Sequence, residues 1–119
     1  MRIGELAART GASTRSLRHY EAVGLIGPER LINGYRDYEA SAVETVRKIQ
    51  ALLRAGFSLA DSRGLVSCVV DEQPKLLRCA DSVRAVNGRL AQLDRRIADL
   101  IEVRGLLAAA LELGEGSPG

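Results

Sequence analysis

The sequence predicts a mainly α-helical chain: a helix-turn-helix head with a small β-hairpin, followed by one long helix that needs a partner. Three observations predict this. Two short amphipathic helix patterns, separated at Gly11, occupy the first 22 residues. Asn33-Gly34 lies between apolar and aromatic residues, and this pair favours a type I′ hairpin because both turn positions need positive φ. From Leu76 to Leu111 apolar residues alternate at three- and four-residue intervals, as in a coiled coil.

Each element has its own signal. Ile3, Leu6 and Ala7 share one helical face, and Gly11 ends that helix. Ser13 is a good N-cap for a second helix running to about Ala22, with Leu17 facing inward. The hairpin after these two helices makes the head a winged helix-turn-helix, with Tyr35 and Arg36 on opposite faces of the wing. Ser41-Ala42-Val43-Glu44 reads as a capping box opening a third helix that ends at Gly56. Ser58-Leu59-Ala60-Asp61 opens a fourth with the same chemistry. Asp71–Pro74 is a polar break. The spacing therefore divides the chain into a head at 1–70, a dimerisation helix at 75–113 and a flexible tail at 114–119.

The seam of the long helix consists of Leu76, Val83, Leu90, Ile97, Arg104 and Leu111, interleaved with Cys79, Val86, Leu93, Leu100 and Leu107. Arg104 is its one flaw. Such a helix alone would leave the seam in water. The chain has no second long helix to cover it, so the partner is another copy. The four aromatics, Tyr20, Tyr35, Tyr38 and Phe57, all lie in the first half. The second half must therefore pack with aliphatic side chains, as helix bundles do.

Charge and composition narrow the function. Residues 1–54 carry nine Lys/Arg against six Asp/Glu, while residues 55–119 carry eight against nine. The basic excess and all three tyrosines share one half, which hints at a polyanion partner there. No secretory signal pattern and no run of 18 apolar residues occurs, so a cytoplasmic protein with no membrane partner is expected. Cys68 and Cys79 form no CxxC pair and are expected as reduced thiols. No nucleophile–base pair, carboxylate dyad or phosphate loop is recognisable, so no enzyme activity is expected.

The candidate DNA-binding set is Ser13, Thr14, Arg15, Ser16, Arg18, His19 and Tyr20 on the second helix, with Arg30, Tyr35 and Arg36 on the wing. Arg15 and Arg18 lie three apart, on one side of the helix. From there arginine can donate two hydrogen bonds to guanine in the major groove. Ser13 and Ser16 stand near the helix N-terminus, where backbone N–H groups favour phosphate. The alternative for the arginines is a solvated helix face, and for Tyr20, Tyr35 and Tyr38 a small core between wing and helices. Tyr38 is expected as core, and His19, the single histidine, has no catalytic role assigned.

Together, Ser13-Thr14-Arg15-Ser16-Leu17-Arg18-His19-Tyr20-Glu21, Gly24-Leu25-Ile26, Gly34-Tyr35-Arg36-Asp37-Tyr38 and Gly56-Phe57-Ser58-Leu59 resemble the MerR family of transcriptional regulators. The resemblance covers about residues 1–112. It implies an antiparallel coiled-coil homodimer on double-stranded promoter DNA, acting on RNA polymerase indirectly by kinking and untwisting the site. By motif, Arg18 and Tyr20 would be recognition-helix contacts, and Tyr35 and Arg36 wing contacts. His19 departs from the aromatic usual at that position. The dimer would be held by Val83, Val86, Leu90, Leu93, Ile97, Leu100, Leu107 and Leu111.

Cys79 resembles in position a thiolate ligand of metal-sensing members, which makes it the candidate thiol sensor. Residues 108–119 contain no Cys or His to complete a site. No metal site and no cofactor are therefore expected, beyond a soft metal bound by thiols alone. The bland reading of Cys79 is a small seam residue. Two rival functions remain at this stage: an architectural or recombination-directing DNA-binding protein, and a coiled-coil interaction protein.

Overall fold

The computed structural model describes residues 1–30, 36–71 and 75–111. The described chain is mostly helical, with two two-stranded antiparallel hairpins. By its contacts it divides into two compact units, Met1–Val83 and Arg84–Gly119.

In the first unit, α1 spans Ile3–Thr10 and α2 spans Thr14–Ala22. α1 ends where expected, with the Gly11 N–H donating to Ala7 O at 2.9 Å. Ser13 caps α2: its Oγ accepts from the Ser16 N–H at 3.0 Å. Beyond α2 the Gly24 N–H donates to Glu21 O and the Leu25 N–H donates to Tyr20 O. This double bond pattern needs a left-handed residue between them, and Gly24 supplies it at φ +81°. A Cβ at Gly24 would meet only the Arg63 guanidinium, Nη2 at an ordinary 3.7 Å and Cζ at 4.0 Å. Gly24→Ala should therefore cost about 1–2 kcal/mol through backbone strain alone. A urea midpoint equal to or above wild type would contradict this.

β1 (Glu29–Arg30) pairs antiparallel with β2 (Arg36–Asp37), Glu29 opposite Asp37 and Arg30 opposite Arg36. The Asn33-Gly34 turn lies outside the described residues. One partner of this hairpin was not foreseen. Met1 and Tyr38 exchange backbone hydrogen bonds at 2.6 and 2.7 Å, and the Met1 ammonium donates to Asp37 Oδ1 at 2.9 Å.

α3 (Ser41–Arg54) corrects the capping expectation. Ser41 is inside the helix, and its hydroxyl donates to Glu39 Oε2 at 3.4 Å. The chain enters α3 through a backbone turn, with Ala42 N–H to Glu39 O and Val43 N–H to Ala40 O. Early N–H groups are thus satisfied without a side-chain cap. At α4 (Leu59–Leu65) the N-cap half of the expected box is present: Ser58 Oγ accepts from the Asp61 N–H at 3.0 Å.

α3 is the central brace, packed on α1 and α4. Arg47 and Gln50 of α3 donate to the carbonyls of Arg9 and Thr10, at 3.3 and 3.0 Å. They satisfy acceptors that the end of α1 leaves unpaired within the helix. The core joins Leu6, Leu17, Tyr20, Leu25, Ile26, Tyr38, Val46 and Ile49. Tyr38 is core as expected, and its hydroxyl donates to Glu21 Oε2 at 3.0 Å, tying the end of the wing to α2.

After α4 a 3-10 turn, Val66–Cys68, leads into β3 (Val69–Asp71), which pairs with β4 (Lys75–Leu76). The expected polar break thus lies within a second hairpin, with Glu72–Pro74 outside the described residues. This also shortens the expected long helix. Leu76 is opposite Val69 in the hairpin, so it takes no part in a helical seam. α5 spans Ala80–Ala109 rather than starting at Lys75. Its 30 residues measure about 45 Å at 1.5 Å per residue. The expected tail, 114–119, is outside the described residues.

Arg84 to Ala109 of α5 lie in the second unit. Leu90, Ile97, Leu100, Leu107 and Leu111 are exposed in the single chain, while Val83, Val86 and Leu93 are half-buried. Ile101, Val103 and Leu106 are exposed as well. Past Ile97 the apolar surface is thus broader than a strict seven-residue repeat. Among the described residues no helix is long and apolar enough to cross a membrane.

Candidate nucleic-acid interface

α2 has one buried face and one exposed face. Leu17 and Tyr20 are buried, while Thr14, Arg15, Arg18 and His19 are exposed. At about 100° per residue, Arg15, Arg18 and His19 fall on the side opposite the buried pair. The helix is thus held by its two buried side chains and presents two guanidinium groups and an imidazole to solvent. Such a surface suits the acceptor-rich major-groove edge of guanine.

The other expected residues divide. Ser13 and Ser16 are already bonded to each other, because the Ser13 hydroxyl donates to Ser16 Oγ at 2.9 Å while accepting its N–H. Tyr20, an expected DNA contact, packs inward in the single chain. It lies three residues after Leu17, on the same helical face, and only 7% of its surface is exposed. Burial raises its hydroxyl pKa above the usual tyrosine value, as expected when a charged form would be desolvated. The structure gives Tyr20 to the core. On the wing, Arg30 and Arg36 are placed opposite each other by backbone pairing; Tyr35 is outside the described residues.

Arg63 was missed. It lies on α4 with its guanidinium against Gly24, just past the end of α2. A cation there complements the negative end of the helix dipole. Only a tertiary contact brings residues 24 and 63 together, so no local pattern could have signalled it.

The thiols also come together. Cys68 Sγ and Cys79 Sγ lie 3.9 Å apart. Cys79 is exposed and Cys68 half-buried. The Cys79 carbonyl accepts from the Val83 N–H, which places Cys79 at the N-cap of α5 rather than on a seam. Its Sγ lies 3.2 Å from Ser82 Oγ. The Ser82 hydroxyl and then the Ser82 N–H, both able to donate to the thiolate form, hold the Cys79 pKa below the ordinary thiol value. Among the described residues, no three His, Cys, Asp or Glu side chains cluster as a metal site.

The chain matches two family models, one described as MerR HTH family regulatory protein over residues 1–67 and one as MerR, DNA binding over residues 43–110. It is 39% identical over 108 residues to the HTH-type transcriptional regulator HmrR of Rhizobium leguminosarum bv. viciae, covering 90% of this chain and 81% of that one. It is 32% identical over 118 residues to the mercuric resistance operon regulatory protein of Bacillus cereus, covering 98% and 85%. In fold it is similar to a MerR-family transcriptional regulator from Bacillus cereus, with TM-score 0.63, 21% identity and coverage of 98% and 86%. It is likewise similar to HiNmlR, a MerR family regulator lacking the sensor domain, bound to promoter DNA. Here the TM-score is 0.55, with 22% identity and coverage of 93% and 86%.

Proposed function

This chain belongs to the MerR family of transcriptional regulators, and we propose that it works as a homodimer that distorts promoter DNA. It is a DNA-binding regulator; the dimer and the distortion are the proposal. The observation that carries the site assignment is the division of α2, with Leu17 and Tyr20 buried and Arg15, Arg18 and His19 exposed on the opposite side.

In this reading α2 enters the major groove, and Arg18, with Arg15 beside it, reads base edges. Arg30, Tyr35 and Arg36 of the wing act on the flanking backbone. The exposed apolar side chains of α5 pair with a second copy in an antiparallel coiled coil. Two heads at a fixed separation can then bend the DNA between half-sites, at an elastic cost of about 1–6 kcal/mol that phosphate contacts offset. RNA polymerase is affected indirectly, through the geometry of the promoter. This function is non-enzymatic and cytoplasmic.

A gel shift on the DNA upstream of the protein's own gene, followed by transcription in vitro on the same DNA, tests the whole proposal. Binding with altered transcript yield supports it. Binding without any change in yield would favour an architectural role, and no binding would remove the site assignment.

Two substitutions separate base reading from backbone attachment. Arg18→Ala should weaken operator binding by about 1–3 kcal/mol and reduce discrimination between sites. Arg36→Ala should weaken all sequences alike and reduce the salt slope by about one. Unchanged operator affinity in Arg18→Ala would refute its role.

A further inference from the structure

We propose that Cys68 and Cys79 form an intrachain oxidation site, which hydroperoxides convert from a dithiol to a disulfide. The chain contains only these two cysteines. Eleven positions apart in sequence, they are brought together by the second hairpin. The β3–β4 pairing continues past Leu76, with the Leu77 N–H donating to Cys68 O at 2.8 Å, and a tight local turn, the Cys79 N–H donating to Leu77 O at 3.0 Å, then carries the chain to Cys79. With the backbone already joined, the sulfurs lie 3.9 Å apart. A disulfide needs about 2.05 Å, so each sulfur must move by roughly half the difference, a displacement that side-chain rotation can supply. This inference rests on the thiols alone and does not depend on the DNA-binding reading.

The two sulfurs have different roles. Cys79 is exposed and stands at the N-cap of α5, where the Ser82 hydroxyl and N–H can donate to its thiolate. Thiolates, not thiols, attack peroxides, and helix N-termini favour them. The Cys79 thiolate attacks one peroxide oxygen and breaks the O–O bond. This leaves a Cys79 sulfenic acid and an alkoxide, which takes up a proton and departs as an alcohol, or as water from hydrogen peroxide. Cys68, half-buried at 3.9 Å, then attacks the Cys79 sulfur. Its proton leaves with the sulfenic hydroxyl as water, and the disulfide is formed. The two sulfurs together lose two electrons, and the peroxide gains two. The product is a covalent ring around the β3–β4 hairpin, tying the end of the 3-10 turn to the first turn of α5. Thiols reverse it by exchange.

The test uses the reduced full-length protein with one equivalent of hydrogen peroxide. Both thiols should disappear together, the chain should lose the mass of two hydrogen atoms, and peptide mapping should link Cys68 to Cys79 within one chain. Dithiothreitol should restore the starting mass. In Cys68→Ser, Cys79 should accumulate as a sulfenic acid trapped by dimedone. Cys79→Ser should react at least about ten-fold more slowly than Cys68→Ser, because the favoured thiolate is gone. Chain-to-chain linkage in the wild type, oxidation of one cysteine without a link, or equal rates in the two variants would each overturn the proposal.

Discussion

Leu17→Ala is expected to destabilise the chain by about 2–5 kcal/mol, the range for removing a buried leucine side chain. Leu17 is fully buried, and α2 has only one other buried residue, Tyr20. A nine-residue helix is marginal in water and depends on its packed face. Truncating Leu17 leaves a cavity between α2 and the core that joins Leu6, Val46 and Ile49. Against a total stability of about 5–15 kcal/mol, this is a large fraction, and the urea midpoint should fall accordingly. DNA affinity should fall too, even where the variant is still folded, because Arg15 and Arg18 are positioned by the helix that Leu17 anchors. A loss of stability below about 1 kcal/mol, the level of an average substitution, would mean that α2 is not held by this contact.

Much of the head was legible because its signals are local. Gly11, Ser13 and Ser58 act within three to four residues of themselves, and each makes the backbone bond its residue type suggests. Ser41 shows the limit of such reasoning. Its spacing to Glu44 fits a capping box, yet the turn begun at Glu39 starts the helix one residue earlier and leaves Ser41 inside it rather than at the N-cap. The exposed side of α2 was equally legible, since a helix whose only apolar side chains are Leu17, Tyr20 and Ala22 has few ways to dock. Tyr20, three residues from Leu17 on the same helical face, follows the core alternative in the single chain.

The remainder depends on contacts distant in sequence. Met1 bonds Tyr38, 37 positions away, and Arg63 meets Gly24. Strands of two or three residues carry no readable alternation, so the β3–β4 hairpin had no signature. Its residues instead continued the heptad count backwards: Leu76 and Cys79 match the spacing of the seam without belonging to it. That same hairpin turns two unremarkable cysteines into a pair. The two proposed sites thus differ in range: the basic face of α2 is set by local periodicity, the thiol pair by tertiary pairing alone.

Ile97→Asp should abolish the proposed dimer at micromolar concentration while leaving the head folded. In the single chain Ile97 is 53% exposed, so an aspartate there costs the isolated protomer little. In a coiled-coil seam the same carboxylate would be buried without a partner, at a cost of several kcal/mol. Ile97 is also midway between Val83 and Leu111, so an antiparallel pair centred on this seam sets the two introduced charges near each other. Each 1.4 kcal/mol is about ten-fold in Kd, and the dimer should weaken at least about a hundred-fold. Sedimentation should show a monomer that keeps its helical circular dichroism from the head. Operator binding should fall as well, because each head must then hold its half-site without the effective concentration that a linked partner supplies. A wild-type protein that sediments as a monomer would refute the proposed dimer outright. An Ile97→Asp variant that remains dimeric would move the interface off this seam, toward the broader apolar surface at Ile101, Val103 and Leu106.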